Sequence, residues 1–491
     1  MLSQAKSRFL GRFYLSKQAV SSIAAKGSVW AFATLAVAGG LMPLLFQLTR
    51  TYPTNPWEAG ITVEGARWAQ GLPVYEPTTG HATHMYGWMQ TAVLGVLFQI
   101  LPVNNYACRW ISLLAAVGGL IWLTRLIARK QDLHWQVFTF ASLFSANSLA
   151  DFYFTNGRMD MAAHFFGMAG VLLALHLRIT ADNSFRKWAL TCLLFVVGVS
   201  FKQTAAVYAV LPVLFEVLPQ QRRGKWFLPW VPGFVLLGYA LVLKVFFPNV
   251  FEHMFVGFAQ YPISWRRYGR ILWWSMRGAL FFWALLAIRV FQKDRPFQTE
   301  EKRWLIAMVW LTLTSALSYA KAAGSANSLM PYYIVMAATC CSLFKNTGLW
   351  ERLDTRGAVI VLAASVLSVL QWFPSGPSTN RYYLAADLRQ AAYTELVEYV
   401  STLQGKVSSP EDPTITFFGT GKLTDNVYLE RDMRGNWHDT PARIQEELNS
   451  ADYVVDVVGW LRDEYVRPSI LSAQGFIRQR SFGVYDVWER H

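Results

Sequence analysis

The chain has 491 residues, 53% of them hydrophobic, 15% aromatic and only 15% charged, with 21 Trp. So much apolar surface exceeds what one soluble core can bury, which excludes an ordinary soluble enzyme and leaves a polytopic membrane protein. The net charge of +14 hides two populations: residues 374–491 hold 12 Lys and Arg against 17 Asp and Glu, so the preceding part carries +19 as loop charge, and a nucleic-acid partner gains no support.

In chain order, apolar runs fall at 27–49, 106–128, 135–154, 161–177, 188–200, 204–218, 228–247, 271–290, 304–320, 329–344 and 358–373. About eleven spans are expected, several shorter than the ~20 residues of a perpendicular helix. With the N-terminus inside, alternate threading puts 22 Lys and Arg in inner segments and eight in outer loops, as the positive-inside rule requires. Residues 85–101 are apolar too, but counting them as a span inverts everything downstream. They are expected to form a re-entrant or interface-lying helix within a first outer loop spanning 50–105. The N-terminal basic stretch and first run read as an uncleaved signal anchor. Residues 1–373 thus form a transmembrane module.

After a Pro, Ser and Gly-rich linker, residues 374–491 read as a small extracytoplasmic α/β domain. Helical spacing runs from Tyr382 to Leu403, and again over Ala442–Leu448 and Ser469–Ala473. Short buried strands are expected at Thr414–Phe418 and Tyr453–Val458, with a last strand at Phe482–Trp488. Gly419, Gly421 and Lys422 lack the spacing of a phosphate loop. Cys108, Cys192, Cys340 and Cys341 lie in or beside spans and make neither a disulfide framework nor a zinc set. His81 and His84 near Glu76 lack a convincing third ligand, so no metal or other cofactor is expected, although a divalent ion near Glu58 and Asp160 is left open.

The threading gathers scattered polar groups at the outer face, where ionisable residues at membrane depth mark function. Asn55-Pro-Trp-Glu58 opens a helix running through Gln70. Glu58 has two readings there: a capping-box carboxylate, or a general base for an acceptor hydroxyl. Asn156-Gly-Arg158-Met-Asp160 opens the fourth span, and its Arg158 is either a local partner of Asp160 or a fork for phosphate that Asp160 orients. Lys202-Gln203-Thr204 interrupts a 31-residue apolar stretch, which fits a cation recessed between short helices to meet an anionic headgroup. Between spans nine and ten, Lys321 to Asn327 is a small-residue loop that lets a ligand approach the backbone. Arg266, Arg267 and Arg270 beside Trp265 suit lipid phosphates at the interface.

In order and placement, these segments resemble the GT-C superfamily of integral-membrane glycosyltransferases, over most of residues 27–345. The elements are the first-loop acid, Gly71-Leu-Pro-Val-Tyr75, Arg158-Met-Asp160, Lys202-Gln-Thr204, and the Lys321 to Asn327 loop with Pro331. The protein mannosyltransferase and lipid A aminoarabinose transferase branches are similar. Two departures stand out: Asn55 where relatives often have Asp, and Met85-Tyr-Gly-Trp88 in place of an aromatic-Pro element.

The resemblance implies an α-helical polytopic bundle with the small outer domain. It also implies inverting transfer of a sugar from a polyprenyl-phosphate donor to a glycan, lipid or protein acceptor at the outer face. Glu58, the first-loop carboxylate, is then the base that takes the acceptor proton, with Asp160 as a second catalytic carboxylate; Arg158, Lys202 and Lys321 bind the donor phosphate; Asn156, Gln203, Asn327 and Tyr75 line the substrate loops. The competing readings are a transporter or flippase of an anionic lipid-linked sugar, and a catalytically degenerate assembly subunit. Neither an internal repeat nor a matching inner charge set favours a transporter.

Overall fold

A computed structural model describes residues 27, 30–38, 45, 47–76, 86–128, 133–149, 157–158, 160–180, 182–218, 225–257, 259, 261–269, 271, 280–291, 296–321, 326–345, 386–424, 426, 440–457 and 467–491. The fold is mostly helical, with one small sheet near the C-terminus. Among the described residues, three helices are long and apolar enough to cross a membrane: Ala107–Ile127, Asp160–Arg178 and Leu228–Phe246. The last presents Phe234, Leu237, Leu241 and Val245 outward, as a lipid-facing helix does.

Helix α1 (Pro56–Ala69) starts where Asn55 and Pro56 predict, since the Asn55 Oδ1 accepts from the Glu58 N–H at 3.0 Å and Pro56 has no N–H to strand. Helix α2 (Trp88–Phe98) is too short to span a bilayer and packs on α1. Gly65 and Gly95 permit this approach, because an added Cβ at Gly95 would fall 2.1 Å from the Trp68 ring. Helices α3 (Ala107–Ile127), α4 (Leu133–Leu149), α5 (Asp160–Ile179) and α6 (Phe185–Phe201) follow.

At Lys202 the backbone turns extended, with φ −156° and ψ 125°, and a 3₁₀ helix (Gln203–Val210) resumes beyond it. The interruption expected at Lys202 is therefore a real break, and it opens a recess beside the ends of α5 and α6. Helices α7 (Val231–Phe246), α8 (Leu280–Phe291), α9 (Thr299–Ala320) and α10 (Met330–Lys345) complete the described bundle. Residues 346–385, which hold the eleventh expected span and the linker, lie outside the described residues, as do His81 and His84.

The tail begins with α11 (Ala386–Thr402). Its sheet has the order β1 (Val407–Ser408), β2 (Tyr453–Val457), β4 (Tyr485–Arg490), β3 (Phe476–Phe482), with β1 and β2 parallel and the other pairs antiparallel. Helices α12 (Pro413–Thr420), α13 (Thr440–Ser450) and α14 (Pro468–Ala473) complete it. Two expectations fail here: Phe482–Trp488 is not one strand, because the turn at Gly483 (φ 60°) separates β3 from β4, and Thr414–Phe418 lies in α12 and is not a strand. A short apolar run fits either period, and the flanks decide. Asp412 caps the Thr414 N–H at 3.2 Å, Pro413 takes the first helical position, and Gly421 ends the helix at φ 71°.

The tail core contains Leu396, Val400, Ile415, Leu448, Val454, Val455, Tyr485 and Val487, and with them Tyr52 from the first loop. Tyr52 is 2% exposed, 6.4 Å from the Tyr393 ring and under the Arg389 guanidinium at 4.8 Å. Thr51 donates its N–H to Gln390 at 3.0 Å, and Asn105 donates to the Thr51 carbonyl at 2.8 Å. The tail is seated directly on the first loop.

Burial pushes the Asp412 carboxyl up to about 7, while Thr414 and the nearby Arg389 hold it down. Burial likewise pushes Asp456 up to about 6, with Asp486 directly opposite on the neighbouring strand. The folded tail therefore holds these protons more tightly than the unfolded chain, whose Asp titrates near ~4. Stability from these groups is fully present below that value and is lost as pH rises through 6 to 7. Thermal unfolding followed across pH 5 to 8 should show the tail weakening, and Asp412→Asn should flatten the dependence. An unchanged pH slope in Asp412→Asn would exclude Asp412 as its source.

Candidate functional site

Glu58 is fully buried, and both of its oxygens are occupied. Oε1 accepts from Arg109 Nε at 2.6 Å; Oε2 accepts from the Thr54 N–H at 2.5 Å, the Thr54 hydroxyl at 2.8 Å and Arg109 Nη2 at 3.1 Å. Arg109, also fully buried, donates further to the carbonyls of Gln47, Arg50 (2.8 Å) and Tyr52 (2.5 Å). The guanidinium thus ties the backbone ahead of α1 to the carboxylate inside it. Half of the capping box is present: Asn55 caps Glu58, while the Glu58 carboxylate reaches the Thr54 N–H. Sequence reasoning passed over Arg109 because it lies inside an apolar run, yet a lone Arg in a span calls for a partner.

Gly157 packs against this pair at φ +73°, where a Cβ would lie 2.8 Å from both Glu58 Oε1 and Cys108 Sγ. Only glycine combines that backbone with that proximity. Its carbonyl accepts from Gln90 at 3.2 Å, and the Arg158 carbonyl accepts from Ser112 at 3.1 Å. These bonds fix the entry to α5 and place the Arg158 guanidinium 4.6 Å over the Trp57 ring. Asn156 lies outside the described residues.

Asp160, at the start of α5, pairs through Oδ1 with Lys202 Nζ and accepts from Asn327 Nδ2 at 3.0 Å through Oδ2. Lys202 also stands 4.6 Å from the Tyr86 ring. Segments as distant in sequence as 160, 202 and 327 therefore meet. Lys202, Gln203, Asn327 and Lys321 line a cavity of about 350 Å³, with His164, Ser315 and Ser318. Lys321 closes α9, where its carbonyl accepts from Arg267 at 2.9 Å and its backbone bridges Ile263. Tyr75 sits beside this group without lining the cavity: its hydroxyl donates to the Tyr86 carbonyl at 3.2 Å, and its ring meets His253 edge-on.

Of the expected residues, Asp160, Lys202, Gln203, Lys321 and Asn327 form one cationic recess. Arg158 stands two residues from Asp160, and Glu58 lies behind the recess in its own ion pair. Two cations, two amides and several hydroxyls around a cavity can hold a phosphate and a polar group attached to it.

The fold, a helical bundle with a small sheet domain near the C-terminus, is similar to that of solved structures. The crystal structure of ArnT from Cupriavidus metallidurans bound to undecaprenyl phosphate matches it with a TM-score of 0.56, over 93% of this chain and 98% of that one, at 11% identity. The archaeal oligosaccharyltransferase AglB from Archaeoglobus fulgidus, in complex with an inhibitory peptide and a dolichol-phosphate, gives 0.49 over 95% and 74%, also at 11%. No family model matches the chain, and no curated protein matches its sequence. The likeness to ArnT establishes the fold, at an identity too low to carry residue roles.

Proposed function

We propose that this protein transfers a sugar from a polyprenyl-phosphate donor to a glycan, lipid or protein acceptor at the outer membrane face. The observation that carries this reading is the cavity holding both Lys202 and Lys321, in a fold shared with a protein whose structure contains undecaprenyl phosphate. The 22 to eight partition of basic residues supports eleven spans with the N-terminus inside and the tail outside.

In this mechanism the donor phosphate lies between Lys202 and Lys321, with Asn327 and Gln203 donating through their amides. Arg158 adds positive potential from its place over Trp57. As the glycosidic bond breaks, negative charge grows on the phosphate, and preorganised cations stabilise it where water is excluded. The acceptor hydroxyl attacks the anomeric carbon from the opposite side, with inversion, and loses its proton to a carboxylate.

Asp160 suits that last role better than Glu58 does. Asp160 is buried as Glu58 is, but it bonds to Lys202 and Asn327, which line the recess, whereas Glu58 bonds to Arg109 and Thr54, which do not. Glu58 with Arg109 then acts as the frame that holds the first loop.

The test of the donor site is binding of farnesyl phosphate, a short polyprenyl phosphate, to the full chain in detergent. Lys202→Ala should weaken it by the ~1.5–3 kcal/mol of a charged hydrogen bond without lowering the unfolding temperature of the tail. Unaltered affinity in both Lys202→Ala and Lys321→Ala would remove the phosphate from this cavity.

A further inference from the structure

A second cavity, of about 290 Å³, opens where the tail meets the start of α3. Its walls come from both parts: Thr51, Asn105 and Tyr106 from the bundle side, and Tyr393, Thr394 and Glu398 from α11. Asn105 is 1% exposed, and its Oδ1 accepts no hydrogen bond among the described residues, although its Nδ2 donates to Thr51. A buried amide oxygen beside a cavity and lacking a donor calls for one from outside the chain. Around it stand the Thr394 hydroxyl, the exposed Glu398 carboxylate and the 40% exposed Tyr106 ring.

We infer that this cleft binds a neutral saccharide, the sugar end of the acceptor; the inference rests on the transferase reading above. A sugar offers hydroxyl donors together with an apolar C–H face. The cleft offers acceptor oxygens and an aromatic ring in return. Among the described residues no Lys or Arg lines it, in contrast to the cavity with Lys202 and Lys321, so these walls are not those of a phosphate site. Its volume falls at the lower end of small-ligand sites and suits one or two sugar rings.

Contacts join the cleft to the recess. The Asn105 carbonyl accepts from Cys108 Sγ at 3.1 Å, Cys108 lies 3.6 Å from Glu58 Oε1, and Gly157 against that carboxylate leads to Arg158 and Asp160.

The experiment is saturation-transfer NMR on the full-length protein in detergent, with a panel of methyl hexosides, methyl pentosides and disaccharides, and farnesyl phosphate as a separate probe. At least one saccharide should receive saturation, and Tyr106→Ala and Glu398→Ala should each weaken it roughly tenfold. Both side chains are at the rim, so the fold survives their removal, and farnesyl phosphate should bind both variants as it binds the parent. If no saccharide in the panel binds, or the variants bind it as the parent does, the cleft assignment is overturned while the donor reading stands on farnesyl phosphate. If a saccharide binds through these residues and farnesyl phosphate does not bind at all, the cleft stands and the transferase reading fails.

Discussion

Asp160→Asn should leave a folded protein that binds farnesyl phosphate and transfers sugar at least ~10²-fold more slowly, the usual contribution of a positioned base. Asparagine keeps the size and its oxygen still accepts from Lys202, so the ion pair becomes a neutral-to-cation hydrogen bond, while its amide nitrogen donates to the Asn327 oxygen once that side chain turns over. What is lost is proton affinity, so the acidic limb of the pH–rate profile should vanish with it. Glu58→Gln should behave differently: its main effect should be on stability, and transfer per folded molecule should fall by much less. Single-turnover rates on the same detergent samples separate the two. A slow Glu58→Gln beside a normal Asp160→Asn would return the base to the first loop, and normal rates in both would point to a catalytically idle bundle or a base elsewhere.

The largest loss of stability is expected at Arg109. Arg109→Met strips Glu58 of its partner and releases the carbonyls of Gln47, Arg50 and Tyr52. Removing one member of a buried pair leaves the other charge uncompensated, at a cost of ~3–5 kcal/mol. Adding Glu58→Gln to Arg109→Met removes that stranded charge and should recover part of the deficit, because desolvating two charges is itself costly. The remainder measures the three carbonyl contacts. Thermal unfolding of the two single variants and the double variant closes the cycle. A double variant whose loss equals the sum of the single losses would show that the two side chains do not act as a pair.

Much of the site was legible because apolar spans make charges conspicuous. Lys202 stood out as an interruption near the middle of a long hydrophobic stretch, and the structure has a break in the helix there. Asp160 and Asn327 were each identified within their own segments, yet their meeting through one hydrogen bond depends on packing across 167 residues. Arg109 escaped because loop counting tracks charges between spans and ignores those inside them. Its partner Glu58 already had a complete local explanation in the helix cap, and a local rule that succeeds conceals a distant partner. The tail erred for a related reason: Thr414–Phe418 has strand-like composition, and only Asp412, Pro413 and Gly421 around it select a helix.

Tyr52 has a consequence for how the protein is made. Its ring belongs to the tail core, and Thr51 beside it binds Gln390, a residue 339 positions later. At ~5–20 residues per second, synthesis separates the two by tens of seconds. During that interval an aromatic side chain that ends up 2% exposed has no tail to cover it. Arg109 follows Tyr52 by 57 residues and holds its carbonyl, so the loop can be braced long before the tail arrives. The order of synthesis thus casts the early-made loop as a template on which the last hundred residues assemble.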